Sequence, residues 1–113
     1  VNDYPLFLDL AGRRVLVVGA GAVATRRVAR LLETGAHVDV VAPRATPDIA
    51  QRASAGGLRW AAREFVDDDV TGAWLVHAAS GDPAVDSAVV AAAQRAGIWS
   101  VRASDAEASP AWS

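Results

Sequence analysis

The chain has 113 residues, 52% of them hydrophobic, and a formal net charge of −2, which suits one globular α/β domain over residues 1–113. Its eleven basic residues are all Arg and it has no Cys, so lysine Schiff bases, Walker-type lysines, disulfides and thiolate metal sites are excluded. No basic excess points to nucleic acid and no apolar stretch approaches the ~20 residues of a membrane span; with no signal segment at the start, the expectation is a cytoplasmic protein with neither partner.

Residues 1–10 carry Tyr4, Leu6, Phe7, Leu8 and Leu10 around Pro5 and read as an arm packed on the domain's edge. Gly12 turns into a first strand over 13–18. Its apolar run Val15–Val18 enters Gly19-Ala20-Gly21 directly, as a buried parallel strand would. A helix over 22–33 comes next, with Ala24, Val28, Leu31 and Leu32 on one face and Arg26, Arg27, Arg30 and Glu33 toward water. Gly35 stops it, and His37–Ala42 is the second strand, closed by Pro43. Thr46 and Pro47 cap and start a second helix reaching about Ala55. Residues 58–65 read as an edge-like third strand, and Asp67-Asp68-Asp69 as a solvated acidic turn. A fourth strand over 73–79 leads through Ser80-Gly81-Asp82-Pro83 into a helix over 84–96, and a fifth strand covers 98–102. This alternation predicts an α/β, Rossmann-like doubly wound parallel sheet of about five strands.

In such a sheet ligands lie at the carboxyl ends of the strands. Four segments meet there: Gly19–Val23, Pro43-Arg44, Ser80-Gly81-Asp82 and Ser104-Asp105. Gly19-x-Gly21-x-x-Ala24 is a permitted form of the dinucleotide fingerprint. Gly19 serves the turn, Gly21 the approach of a pyrophosphate, and the helix N-terminus supplies the anion site. The acid that usually holds the ribose about 20 positions later is missing. Ala42 and Pro43 stand in its place, and Asp39 comes too early. Arg44 would suit an adenosine phosphate, favouring NADP, or lie over the adenine; the residues leave that choice open. Plainer roles fit other candidates. Asp82 suits a helix N-cap, His77 a hydrogen-bonded core histidine, and Trp60, Trp74, Trp99 and Trp112 packing. His37 looks exposed, and Asp105 is either a turn residue or a general base.

Several segments together resemble the N-terminal domain of sirohaem synthase, the precorrin-2 dehydrogenase/sirohydrochlorin ferrochelatase family. They are Leu10-Ala-Gly-Arg-Arg-Val-Leu-Val-Val-Gly-Ala-Gly-Ala-Val-Ala-Thr-Arg-Arg27, Gly35–Pro43, Gly72–Asp86 and Gly97–Asp105. The resemblance implies oxidation of precorrin-2 to sirohydrochlorin with NAD as cofactor, followed by insertion of Fe²⁺, a co-substrate. It implies cofactor contacts at Gly19, Gly21, Ala22, Val23, Pro43, Arg44 and Ser80, and no resident metal. The family's base, an aspartate after the fifth strand, meets Ser104 here, with Asp105 one residue later. The catalytic expectation therefore rests on Ser104 and Asp105, with the base role at Asp105. The family's helical C-terminal half, through which it forms a homodimer and closes the tetrapyrrole cleft, has no counterpart in this sequence. Three rival readings stand beside the enzyme: a nucleotide-sensing module without catalysis, a methyltransferase, against which Ala42 argues, and a purely structural domain.

Overall fold

The computed structural model describes residues 7–103. Five parallel strands form one sheet in the order β3-β2-β1-β4-β5. They are β1 (Arg14–Val18), β2 (His37–Val41), β3 (Arg59–Ala61), β4 (Leu75–Ala78) and β5 (Trp99–Arg102). Helices α1 (Ala22–Glu33), α2 (Pro47–Ser54) and α3 (Pro83–Arg95) connect them, with a 3-10 turn at Asp67–Val70 before β4. The expected doubly wound α/β architecture is present. The chain runs outward from β1 to β3, then crosses to β4 on the other side, so the strand order reverses between β1 and β4.

Side chains alternate across the sheet, and the alternation sorts the core into two layers. Val15, Val17, Val38 and Val40 pack with Ala24, Val28 and Leu31 of α1 and with Ile49 of α2. Leu16, Val18, Val76 and Ala78 pack with Val89, Ala92 and Ala93 of α3. Both faces are thus covered, which is why these strands read as unbroken apolar runs. Registers of Val15 with Val38 and Leu75, and of Val18 with Val41 and Ala78, bring the strand ends level at one edge.

Several elements differ from expectation. The third strand is three residues long, not eight. After Ala61 the chain turns off the sheet edge, the Arg63 N–H donating to the Ala61 carbonyl at 3.0 Å, and the Arg63 guanidinium holds Asp69 through hydrogen bonds of 2.9 and 2.6 Å. The acidic turn is accordingly not simply solvated: Asp69 also accepts the Val66 N–H at 2.8 Å, and Asp67 pairs with Arg95. The fourth strand starts at Leu75 rather than Ala73. Arg27 is half-buried instead of facing water. Of the arm, Leu10 is buried but Phe7 is fully exposed, and residues 1–6 lie outside the described residues. Trp99 is more than half exposed, so it packs little; Trp112 lies outside the described residues. Trp60 does pack, and its Nε1–H donates to the Ala42 carbonyl at 3.0 Å. Trp74 lies under the Arg13 guanidinium, 4.7 Å from the ring centre. His37 is exposed as expected.

Asp39 shows how an acid tolerates a mid-strand position. Its carboxylate takes hydrogen bonds from Arg14 on β1 and Arg59 on β3, tying three adjacent strands across one face. Burial pushes its pKa up, but the bonds from Arg59 and Arg14 outweigh that and hold it below the usual carboxylate value. This binding accounts for its unavailability to a ligand.

Candidate functional site

At the carboxyl edge, where the order reverses, lies a cavity of about 510 Å³. Gly19, Ala20 and Gly21 form one wall, Pro43, Arg44, Glu64 and Phe65 another, and Ser80, Asp82 and Val85 a third. Three of the four segments singled out in the sequence therefore meet in space. The fourth, Ser104-Asp105, lies outside the described residues; β5, which leads toward it, ends at the same edge with Ala103 buried.

The two glycines do different work. Gly19 has φ +122°, and a Cβ there would sit 2.2 Å from the Ala79 carbonyl oxygen and 2.8 Å from the Ser80 Cα. The protein's own β4–α3 connection, not a ligand, requires Gly19 to lack a side chain. Gly21 is the reverse. Its φ of −88° suits any residue, and a Cβ would meet nothing within 4 Å. Its missing side chain leaves space at the cavity wall, directly before α1.

Helices α2 and α3 satisfy their own N-termini: Thr46 Oγ1 accepts the Ile49 N–H, and Asp82 Oδ1 accepts the Ala84 N–H at 2.9 Å. The N-cap role foreseen for Asp82 is thus observed. Helix α1 has no side-chain cap and no acid in its first turn. Its first N–H groups, those of Ala22 and Val23 included, keep the positive end of the helix dipole available to an anion. Neither Ala22 nor Val23 lines the cavity with its side chain; Val23 packs against the core instead. Their expected contact with a cofactor reduces to peptide N–H groups.

The loops around the mouth are fastened to one another. The Gly19 N–H donates to the Val41 carbonyl at 2.9 Å and the Thr46 N–H to the Ala20 carbonyl at 3.0 Å. Thr25 Oγ1 lies 2.7 Å from the Gly21 carbonyl and 2.7 Å from Thr46 Oγ1, which binds the start of α2 to the start of α1. On the opposite wall the buried carboxylate of Asp86 accepts both the Ser80 N–H, at 3.0 Å, and the Ser80 hydroxyl, at 2.7 Å. Ser80 lines the cavity, but its hydroxyl is committed to the protein, so its offer to a ligand is chiefly backbone and shape. Asp86, Thr25 and Glu64 were not singled out from the sequence. An acid in a helix's first turn six residues after a serine was the only available trace of Asp86.

His77 sits within β4, away from the mouth. Burial, with the charge of Arg27, pushes its pKa down to about 4, so the ring is neutral at pH 7. His77 is in the core as expected, but the expected hydrogen bonding is not found: its buried Nδ1 has no hydrogen-bond partner. Among the described residues no group of His, Asp or Glu could hold a metal ion, and no helix is long and apolar enough to cross a membrane.

A mouth of this kind, at the order reversal and before an uncapped helix, is where a Rossmann sheet takes a nucleotide diphosphate. Residues 6–111 match the family described as "Putative NAD(P)-binding". The chain belongs to that family. A siroheme synthase of Aeromonas hydrophila is 42% identical over 98 residues, 86% of this chain and 21% of that protein. A siroheme synthase of Neisseria meningitidis is 40% identical over 89 residues, 79% of this chain and 18% of that protein. The solved structure of SirC, a precorrin-2 dehydrogenase, superposes with a TM-score of 0.73 at 38% identity, covering 78% of this chain and 44% of that one. A tRNA N6-threonylcarbamoyladenosine dehydratase of E. coli, 18% identical with a TM-score of 0.68 over 82% of this chain and 52% of that one, shares the fold alone. The resemblance to the sirohaem synthase N-terminal domain is thereby established. The chain spans about a fifth of the length of these synthases.

Proposed function

We propose that this NAD(P)-binding domain holds NAD for the oxidation of precorrin-2 to sirohydrochlorin in sirohaem synthesis. The observation that carries the reading is the likeness to SirC over most of the chain, together with a cavity beside a helix N-terminus that lacks a side-chain cap. The residues fit the cofactor. The amides at the start of α1 would hold the pyrophosphate, Gly21 would leave it room, and the Val41–Arg44 corner and the Ser80 loop would flank the rest of the dinucleotide. Bound NAD supplies the hydride acceptor. The chain's part is to orient it, keep the wall between β1 and β4 rigid, and take up the proton that the porphyrinoid releases.

For that proton we assign the Asp105 carboxylate, with Ser104 beside it in the position the family gives its aspartate. A carboxylate is a group that can serve as a general base. The same group would receive pyrrole protons if Fe²⁺ is inserted into sirohydrochlorin, iron being substrate and not a resident metal. The tetrapyrrole cleft and a homodimer would be completed by a C-terminal half such as the longer relatives have room for, and the work would be cytoplasmic.

The test is calorimetric titration of the chain with NAD⁺ and with S-adenosylmethionine, followed by absorbance assays of precorrin-2 oxidation in a full-length relative carrying this domain. NAD⁺ binding, with turnover abolished in Asp105→Asn but NAD⁺ affinity unchanged, is the expected result. Preference for S-adenosylmethionine overturns the reading, and NAD⁺ binding without oxidation in the intact enzyme reduces the domain to a nucleotide sensor. Unchanged turnover in Asp105→Asn rejects the base assignment.

A further inference from the structure

Beside the later turns of α1 lies a second cavity, of about 480 Å³, lined by Arg27, Arg30, Leu31, Glu33, Thr34 and His77. It shares no lining residue with the cavity at the mouth. Arg27 already stands about 9 Å along the helix from Gly21, at ~1.5 Å per residue, and the rest of the α1 wall lies farther on.

Two independent observations point to a ligand there. The first is His77. Its register with Val17 puts the ring on the α1 side of the sheet, in the layer of Val15 and Val17. The residue is only 6% exposed and its Nδ1 has no hydrogen-bond partner, whereas buried polar atoms are nearly always paired. The second is charge. Arg27 and Arg30, one turn apart on α1, bring two guanidinium groups to a cavity with a single carboxylate, that of Glu33. Arg30 makes no ion pair among the described residues. The charge of Arg27 reaches the ring and, with burial, lowers the His77 pKa to about 4. The imidazole is therefore neutral, with one N–H to donate and nothing bonded to Nδ1 to fix which nitrogen carries it. Surplus positive charge beside an uncommitted ring donor suits an oxyanion. The carboxyl end of α1 opposes one with a partial charge of about −0.5, which the two full charges outweigh.

We propose that this second cavity binds a small oxyanion, a phosphate or a carboxylate, between the guanidinium groups of Arg27 and Arg30 and the imidazole of His77. Planar guanidinium donors suit either oxyanion. The site is separate from the dinucleotide cavity and stands whether or not a dinucleotide binds there. The whole chain is titrated with sodium phosphate and, separately, sodium acetate, at constant ionic strength made up with sodium chloride. NMR follows the His77 ring nitrogens, the Arg30 Nε–H and the amides of residues 21–23. Phosphate or acetate shifts the His77 and Arg30 signals saturably, with a Kd of about 1 mM, the scale for so small a ligand; the tighter of the two identifies the source. Arg30 is exposed, so Arg30→Ala keeps the fold and weakens binding about tenfold. His77→Val weakens it likewise, read at the Arg30 Nε–H; should that variant not fold in thermal melts, Arg30→Ala decides alone. Shifts confined to residues 21–23 place the anion at the mouth and overturn the proposal. So does an unchanged Kd in Arg30→Ala or in a folded His77→Val, or the lack of any saturable His77 shift up to about 50 mM of either anion.

Discussion

Gly19 and Gly21 are two residues apart in one motif, yet the structure predicts opposite consequences for replacing them. In Gly19→Ala the new methyl carbon lies 2.2 Å from the Ala79 carbonyl oxygen and 2.5 Å from its carbon, and φ of +122° is unfavourable to any side chain. The backbone strain costs about 1–2 kcal/mol, and pushing the end of β4 aside adds about 1–3 kcal/mol, the range for overpacking a tight core. A loss of roughly 2–5 kcal/mol is a large part of a stability of about 5–15 kcal/mol. The midpoint of thermal unfolding should fall by about 8 °C or more, at ~4 °C or more per kcal/mol. In Gly21→Ala, φ of −88° is ordinary and the methyl meets no protein atom within 4 Å. Stability should change by less than about 1 kcal/mol, a less flexible unfolded chain offsetting the poorer fit of Ala at the helix N-cap. NAD⁺ affinity should nevertheless drop by about tenfold or more, about 1.4 kcal/mol, because the methyl occupies the approach to the α1 amides. Urea denaturation and NAD⁺ titration on both variants decide the matter. A Gly19→Ala protein within about 1 kcal/mol of wild type would refute the packing argument. An undiminished NAD⁺ affinity in Gly21→Ala would place the dinucleotide elsewhere.

The cavity walls and the core are open to the same kind of test. Asp86→Ala strips the buried acceptor from the Ser80 N–H and hydroxyl and should cost about 1–3 kcal/mol by urea unfolding, while Asp86→Asn, keeping one carbonyl oxygen, should lose less; equal losses would mean the carboxylate's hydrogen bonds do not matter. His77, with its folded pKa near 4 against 6.5 when free, is neutral in the folded state where the unfolded chain is protonated. Stability should be complete above about pH 6.5 and decline by about 3 kcal/mol as pH falls toward 4; His77→Val should flatten that slope in denaturation curves taken across the window. Asp39, held below its usual pKa of 3.8, adds a loss only below that pH. Asp39→Ala should destabilise by about 1–3 kcal/mol by leaving Arg14 and Arg59 without their shared acceptor, and a neutral effect in urea would show that the three-strand tie is idle.

Elements whose signal is local were legible before any fold was seen. The run Val15–Val18 into Gly19 marked a buried parallel strand. The spacing of Ala24, Val28 and Leu31 marked the helix behind it, and Thr46-Pro47 and Asp82-Pro83 marked two capped helix starts at or beside their observed positions. Periodicity and capping act within a turn or two of chain, so one segment suffices to read them. The features that the tertiary structure alone decided depend on groups distant in sequence. That strand three stops after three residues, with Arg63 turned back on Ala61 and paired with Asp69, depends on contacts beyond the segment itself. That Gly19 yields to Ala79 while Gly21 faces open space depends on where β4 passes. The pinning of Ser80 by Asp86 and the presence of Glu64 in the cavity depend on loops brought together by the strand order. A sequence names such partners without their distance, and hydrogen bonds and steric clashes are set within a few ångströms.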